Sequence, residues 1–129
     1  MILYLSVEQL VALHEMQLAH YGGGSGVRDR GALESAAARP AMTFGGEDLY
    51  PDVPSKAAAL MHSLVMNLVD GNKRVGAHAG LLLLLVNGWE VALTSRELED
   101  VTMRLAAGAL DLESLTIWFR QRARPRPAG

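Results

Sequence analysis

The chain has 129 residues, half of them hydrophobic and a fifth charged, with a formal charge of −2. That length buries a real core in one domain, and the composition excludes wholesale disorder. The absence of cysteine excludes disulfides, zinc–thiolate sites and cysteine nucleophiles, and the charge balance argues against a domain-wide nucleic-acid footprint, so no direct nucleic-acid binding is expected.

The opening MILYLSVEQL carries no basic leader and too short an apolar run for a signal peptide. The longest apolar run, Leu81 to Val86, falls far short of the ~20 residues of a membrane helix. A cytoplasmic protein without a membrane partner is expected. Ser6-Val7-Glu8-Gln9 is a capping-box pattern. It opens a helix with apolar residues at Val7, Leu10, Val11 and Leu18, ended by Gly22-Gly23-Gly24. His14 falls on or beside that stripe and reads as a packed histidine. Asp29 caps a second, short helix to about Ala38. Arg39-Pro40 stops it, because the residue before proline is pushed out of helical geometry. Ala41 to Asp52 mixes β-formers with Gly45-Gly46, which predicts a hairpin-like flap or an ordered loop.

Pro54 opens a third, alanine-rich helix that runs to about Leu68 and is broken by Asp70-Gly71. A fourth runs from Asn72 to Asn87-Gly88. It is apolar nearly all round from Ala77 to Val86, which predicts the central buried helix. Trp89 to Leu93 is a short strand or link. Thr94-Ser95-Arg96-Glu97 is a second capping box, opening a helix with Leu98, Val101 and Leu105 on one face and a stop at Gly108. Asp111 caps a last helix with Leu112, Leu115 and Phe119 inward. Trp118 and its neighbour Phe119 face different ways, one into the core. Met16, Met61, Met66 and Met103 read as packing residues. Residues 1–120 form one domain. The remainder, 121–129, is a basic tail expected to be disordered, either solvated or touching an acidic partner.

The segment Asn67-Leu68-Val69-Asp70-Gly71-Asn72-Lys73-Arg74 carries the chemistry. It lies where a new helix starts, and free N–H groups with the helix dipole favour anions there. Gly71 permits close backbone approach, and Asn72 can donate or accept. Lys73 and Arg74 supply a point charge and a bidentate fork suited to phosphate, while Asp70 supplies a carboxylate that can hold Mg²⁺. An ordinary Asp-Gly turn with two solvated basic residues gives the same string, so the residues alone leave both readings open. The string has neither the spacing of a P-loop nor that of a dinucleotide-binding turn.

DGNKR, followed by an apolar helix and Asn-Gly, resembles the motif of the Fic superfamily, and within it the death-on-curing (Doc) branch. LSVEQLVALHEMQLAHYGG, GVRDRGALESAAARP, TFGGEDLYPD and KAAALMHSLV resemble successive blocks of the same family. The likeness runs from about Leu5 to Leu93, and Lys73 favours the Doc branch over adenylyl-transferring Fic proteins. The resemblance implies an all-α fold: a compact helical bundle with a central buried helix and a small hairpin-like flap. It implies that Thr43, Phe44, Gly45, Gly46, Glu47, Asp48, Leu49 and Tyr50 form the flap that docks an extended stretch of the target. It gives Asp70 to the metal or the phosphates, and Gly71, Asn72, Lys73 and Arg74 to the nucleotide phosphates. ATP and Mg²⁺ are the implied cofactors. The implied activity is phosphoryl transfer to a hydroxyl of elongation factor Tu, and the implied partner is a Phd-type antitoxin.

The family's histidine, its general base, is missing. Counted back from Asp70 without gaps, its slot is Met66 and the phenylalanine slot is Leu68. If two residues have been lost instead, Asn67-Leu68-Val69 stands for the family's Asn-His-Pro-Phe-Val. Neither alignment leaves an imidazole, and a thioether or amide takes up no proton at neutral pH. His62, one turn before Met66, and His78, one turn beyond Arg74, are the nearby histidines. The sequence therefore supports a toxin-family phosphotransferase weakened at its base position. Its rivals are a non-catalytic nucleotide- or antitoxin-binding module and an enzyme using another base.

Overall fold

The computed structural model describes residues 1–21, 30–67 and 72–127. They contain six α-helices: α1 Val7–Tyr21, α2 Arg30–Ala38, α3 Val53–Asn67, α4 Asn72–Val86, α5 Ser95–Ala106 and α6 Leu112–Arg122. A 3-10 turn, Arg39–Ala41, follows α2. The strands form two small antiparallel pairs, β1 Thr43–Phe44 with β2 Glu47–Asp48 and β3 Trp89–Val91 with β4 Ala123–Pro125. The architecture is a helical bundle with two short ribbons at its surface.

Side-chain caps set the helix starts. Gln9 N–H donates to Ser6 Oγ and Ser6 N–H to Gln9 Oε1, so the predicted box opens α1. Thr94 and Glu97 do the same for α5, and Asp111 accepts from Ser114 N–H at α6. Asp52 and Ser55 exchange equivalent bonds at α3, which begins at Val53, one residue before the predicted Pro54. The Asp29 cap expected for α2 lies outside the described residues.

The central helix is α3, not α4 as the apolar run 77–86 suggested. Every residue from Val53 to Met61 is buried, whereas Leu85 and Val86 of α4 are exposed. The reason is size. Ala57, Ala58 and Ala59 let α4, α6, α5 and α2 approach α3 from all sides. An apolar helix at one side of the bundle keeps an outward face whatever its composition.

The C-terminal segment also differs from expectation. Residues 121–125 are no disordered tail: α6 continues through Arg122, and Ala123–Pro125 pairs with Trp89–Val91. Two further bonds, Ala92 N–H to Arg122 O and Arg126 N–H to Gly88 O, close this ribbon. Three arginines of this region meet acids of the same chain. Arg120 bonds Asp52, Arg122 bonds Glu97 and lies over the Trp118 ring, and Arg124 bonds Glu90. Phe119 is fully buried and Trp118 half-buried under Arg122. Of the four methionines read as packing residues, only Met61 is core; Met16, Met66 and Met103 are about half exposed.

Candidate functional site

The chain reverses between α3 and α4, and close packing brings the two helices together. Gly76 and Gly80, one turn apart on α4, face α3. A Cβ at Gly76 would lie 2.7 Å from Val65 Cγ2 and 3.2 Å from the Met61 carbonyl oxygen. At Gly80 it would lie 3.3 Å from Met61 Cβ and 3.4 Å from Ala57 O. The glycines thus let the backbones approach closely and hold the start of α4 beside the end of α3. This small-residue spacing was available in the sequence as Gly-x-x-x-Gly, but the apolar run beside it is the louder signal.

The predicted motif straddles this reversal. Asn72 is the first residue of α4. Lys73 and Arg74 are exposed on its first turn, and Val75, Gly76 and Ala77 are buried behind them. Two cations therefore sit at a helix N-terminus, where dipole and N–H groups also favour an anion. Asp70 and Gly71 lie outside the described residues. No group of three or more His, Asp or Glu among the described residues is placed to hold a metal ion. The donor set at Lys73 and Arg74 suits polyphosphate. The carboxylate expected to serve Mg²⁺ is Asp70, outside the described set.

Met66, the histidine slot of the gapless alignment, is half exposed on the last turn of α3. Leu68 and Val69 lie outside the described residues. His62 is half-buried, and burial and the nearby Arg39 push its pKa below the usual 6.5, with Asp111 opposing. Those neighbours place it toward the 3-10 turn and the start of α6. His78 faces α1, its Nδ1 2.6 Å from Gln17 Nε2. With the amide donating, this contact engages the Nδ1 lone pair. His14 is buried beside this contact on α1. His14 Nδ1 and Gln17 Oε1 have no hydrogen-bond partner among the described residues.

The predicted flap is a hairpin. Thr43 pairs with Asp48 and Phe44 with Glu47, and the turn uses Gly45 and Gly46 at φ 62° and 84°. Consecutive positive φ values are the mark of a type I′ turn, which glycine adopts without strain. Residues from Thr43 to Leu49 are exposed, Phe44 at 82%. Tyr50 is turned inward instead: it is buried, and its hydroxyl accepts from Arg39 Nε at 2.8 Å. Beneath the hairpin lies Lys56, a residue that helix propensity alone did not single out. Its side chain is 1% exposed. Its Nζ donates to Pro40 O at 3.2 Å and to Asp48 Oδ2 at 3.1 Å.

A helical bundle with an exposed hairpin and two exposed basic residues at the start of α4 defines the class. A model of the Fic/DOC family matches residues 4–84, and the chain belongs to that family. It is 42% identical over 99 residues to a protein named toxin Doc from Mycolicibacterium smegmatis, covering 74% of this chain and 76% of that one. It is 31% identical over 121 residues to a protein named protein kinase doc from Escherichia phage P1, covering 92% and 94%. None of the described helices is long and apolar enough to cross a membrane.

Proposed function

We propose that the chain is a Doc-type phosphotransferase homologue, slowed by the loss of its general base. In this reading ATP is the donor, with Mg²⁺, and a hydroxyl of a translation factor such as elongation factor Tu is the acceptor. A Phd-type antitoxin is the cognate partner, and the cytoplasm the place of action. The observation that carries the reading is the exposed Lys73–Arg74 pair on the first turn of α4. Arg74 supplies a fork and Lys73 a point charge, and together with the helix start they suit the donor's phosphates. The hairpin presents Phe44 to an extended stretch of the target.

Transfer breaks the bond between the γ-phosphorus and its bridging oxygen and forms one to the target oxygen. The hydroxyl proton must leave in the same event. A positioned base typically supplies a factor on the order of 10²–10⁴, whereas phosphate positioning survives its loss. The lack of an imidazole in either alignment therefore favours a second reading, a nucleotide- or antitoxin-binding module without transfer.

The test is incubation with Mg²⁺, a bacterial lysate and ATP labelled at the γ or the α phosphate. A variant with Leu68 replaced by His-Pro-Phe runs beside the natural chain. A weak γ-labelled band that strengthens in the variant supports the slowed phosphotransferase. A band in the variant alone supports the binding module on an intact scaffold. Equal strong bands remove the damaged-base reading, and α-label transfer replaces the phosphotransferase with a nucleotidyl transferase.

A further inference from the structure

A lysine at 1% exposure in the middle of a helical core is costly, because a cation must shed its water. A leucine or methionine would fill the same space more cheaply. What Lys56 makes possible is a set of contacts to segments far from one another along the chain. Its Nζ reaches Pro40 O at the end of the 3-10 turn and Asp48 Oδ2 on β2, and lies 5.5 Å from the centre of the Tyr4 ring. Its own backbone N–H is bound to Asp52 O in the capped first turn of α3. The post is thus rooted in the most buried helix of the molecule.

The hairpin above it needs such a post. Each strand has two residues, all exposed. A two-stranded hairpin of that size is marginal in water on its own. The bond from Leu49 N–H to Met42 O, 2.9 Å long, closes its base but fixes no angle to the helices. Asp48 is the hairpin's strand residue that meets the core through an ion pair, and Lys56 is the core residue it meets.

We infer that Lys56 is the positioning residue of the hairpin, holding β1 and β2 at a fixed height and angle to the start of α4 so that Phe44 meets the target stretch pre-arranged. This rests on the reading of the hairpin as the target-docking element. The device explains why a charged side chain occupies a core position. A methyl-ended side chain packs there and leaves the hairpin hinged; the ammonium packs there and ties it down. Affinity gained this way comes from ordering done before the target arrives.

The test measures amide hydrogen exchange and the affinity of purified elongation factor Tu on the full chain, for wild type, Lys56→Met, Asp48→Asn and Phe44→Ala. In Lys56→Met the Leu49 amide is expected to exchange about tenfold faster while Leu83 and Leu84 of α4 keep their rates, since opening is local. Asp48→Asn, which leaves Lys56 in place, gives a smaller change of the same kind. Affinity for the factor falls about tenfold in Lys56→Met with ATP affinity unchanged, the mark of lost pre-arrangement. Exchange that is unaltered in both variants, or that rises equally in α4, overturns the inference. So does a loosened hairpin with undiminished affinity when Phe44→Ala does weaken binding. If Phe44→Ala binds the factor as wild type does, the docking reading of the hairpin is what fails.

Discussion

Gly76 of α4 and Val65 of α3 meet with no room for a methyl group between them, the nearest approach of a Cβ being 2.7 Å. Gly76→Ala must push the helices apart, and overpacking of this kind costs roughly 1–3 kcal/mol. The better helix propensity of alanine returns at most ~1 kcal/mol. Gly76→Ala is therefore expected to lower the denaturation midpoint. Gly80→Ala, whose contacts begin at 3.3 Å, is expected to be close to neutral. Urea melts of the two variants side by side check the contrast.

Arg74 and Lys73 share the first turn of α4 and are both exposed. If they hold phosphate, Arg74→Ala costs about 1.5–3 kcal/mol of ATP affinity, the usual range for a hydrogen bond to a charged group. Lys73→Ala costs less, because it removes one point charge rather than a fork. Titration calorimetry with ATP reads both, and an affinity indifferent to Arg74→Ala removes the phosphate site.

The pair Arg120–Asp52 ties α6 to the first turn of α3 at 3.0 Å. Burial alone would raise the Asp52 carboxyl, but bonds from Arg120 and Ser55 outweigh it, leaving the pKa below 3.8. The unfolded chain then takes up the proton first as the solution is acidified. The stabilisation is present above pH 3.8 and disappears as pH falls through the lower folded value. Both partners are partly exposed, so the contribution is under ~1 kcal/mol. Arg120→Ala should lower the melting temperature slightly at pH 7, and the difference from wild type should shrink as the pH falls below 3.8.

His62 acts in the same direction, but around neutrality. Burial and Arg39 hold its folded pKa below 6.5, so the unfolded chain protonates first. Stability is full above pH 6.5 and declines as pH falls from there toward the folded value. His62→Gln is expected to flatten the melting curve between pH 7 and 5, a range about the ordinary histidine pKa. Thermal melts across that range check it.

Removing residues 123–129 deletes β4 and uncovers Trp89 and Val91, which pack partly buried against the core. A loss of only ~1 kcal/mol shifts a domain of this size by roughly 4 °C. Truncation before Ala123 should lower the melting temperature by at least that amount, whereas truncation after Pro127 should not.

The parts of the fold written in local chemistry were readable. Ser6 with Gln9, Thr94 with Glu97, and Asp111 with Ser114 are caps that depend on three-residue spacing alone, and all appear as bonds. Gly45-Gly46 likewise dictates its own turn. The start of α4 at Asn72 was readable for the same reason, and with it the exposed positions of Lys73 and Arg74.

What depends on distant neighbours was not. Residues from Gln121 onward look like a free tail because arginine and proline rarely fill a core. Their acids, Glu97 and Glu90, lie 25 and 34 positions away. The burial of Lys56 depends on Pro40 O and Asp48, which no helical periodicity registers. The preference for α4 over α3 as the central helix came from counting leucines, when small side chains decide how many neighbours a helix can have. Within the motif, Asp70 and Gly71 lie outside the described residues, so this part of the expectation gains nothing from the fold.

The end of α4 away from Lys73 has a consequence for the order of assembly. Asn87 bonds both Leu3 N–H and Leu3 O across 84 positions of sequence, and two residues further on β3 receives β4. The first and last described segments are thus both fastened to one helix end. Contacts between α3 and α4 join neighbours in the chain and form early at small entropic cost, whereas these closures wait for distant partners. The helical pair that frames the motif should accordingly be the seed of folding, and the fastening of these two segments to the end of α4 its final, most easily reversed step.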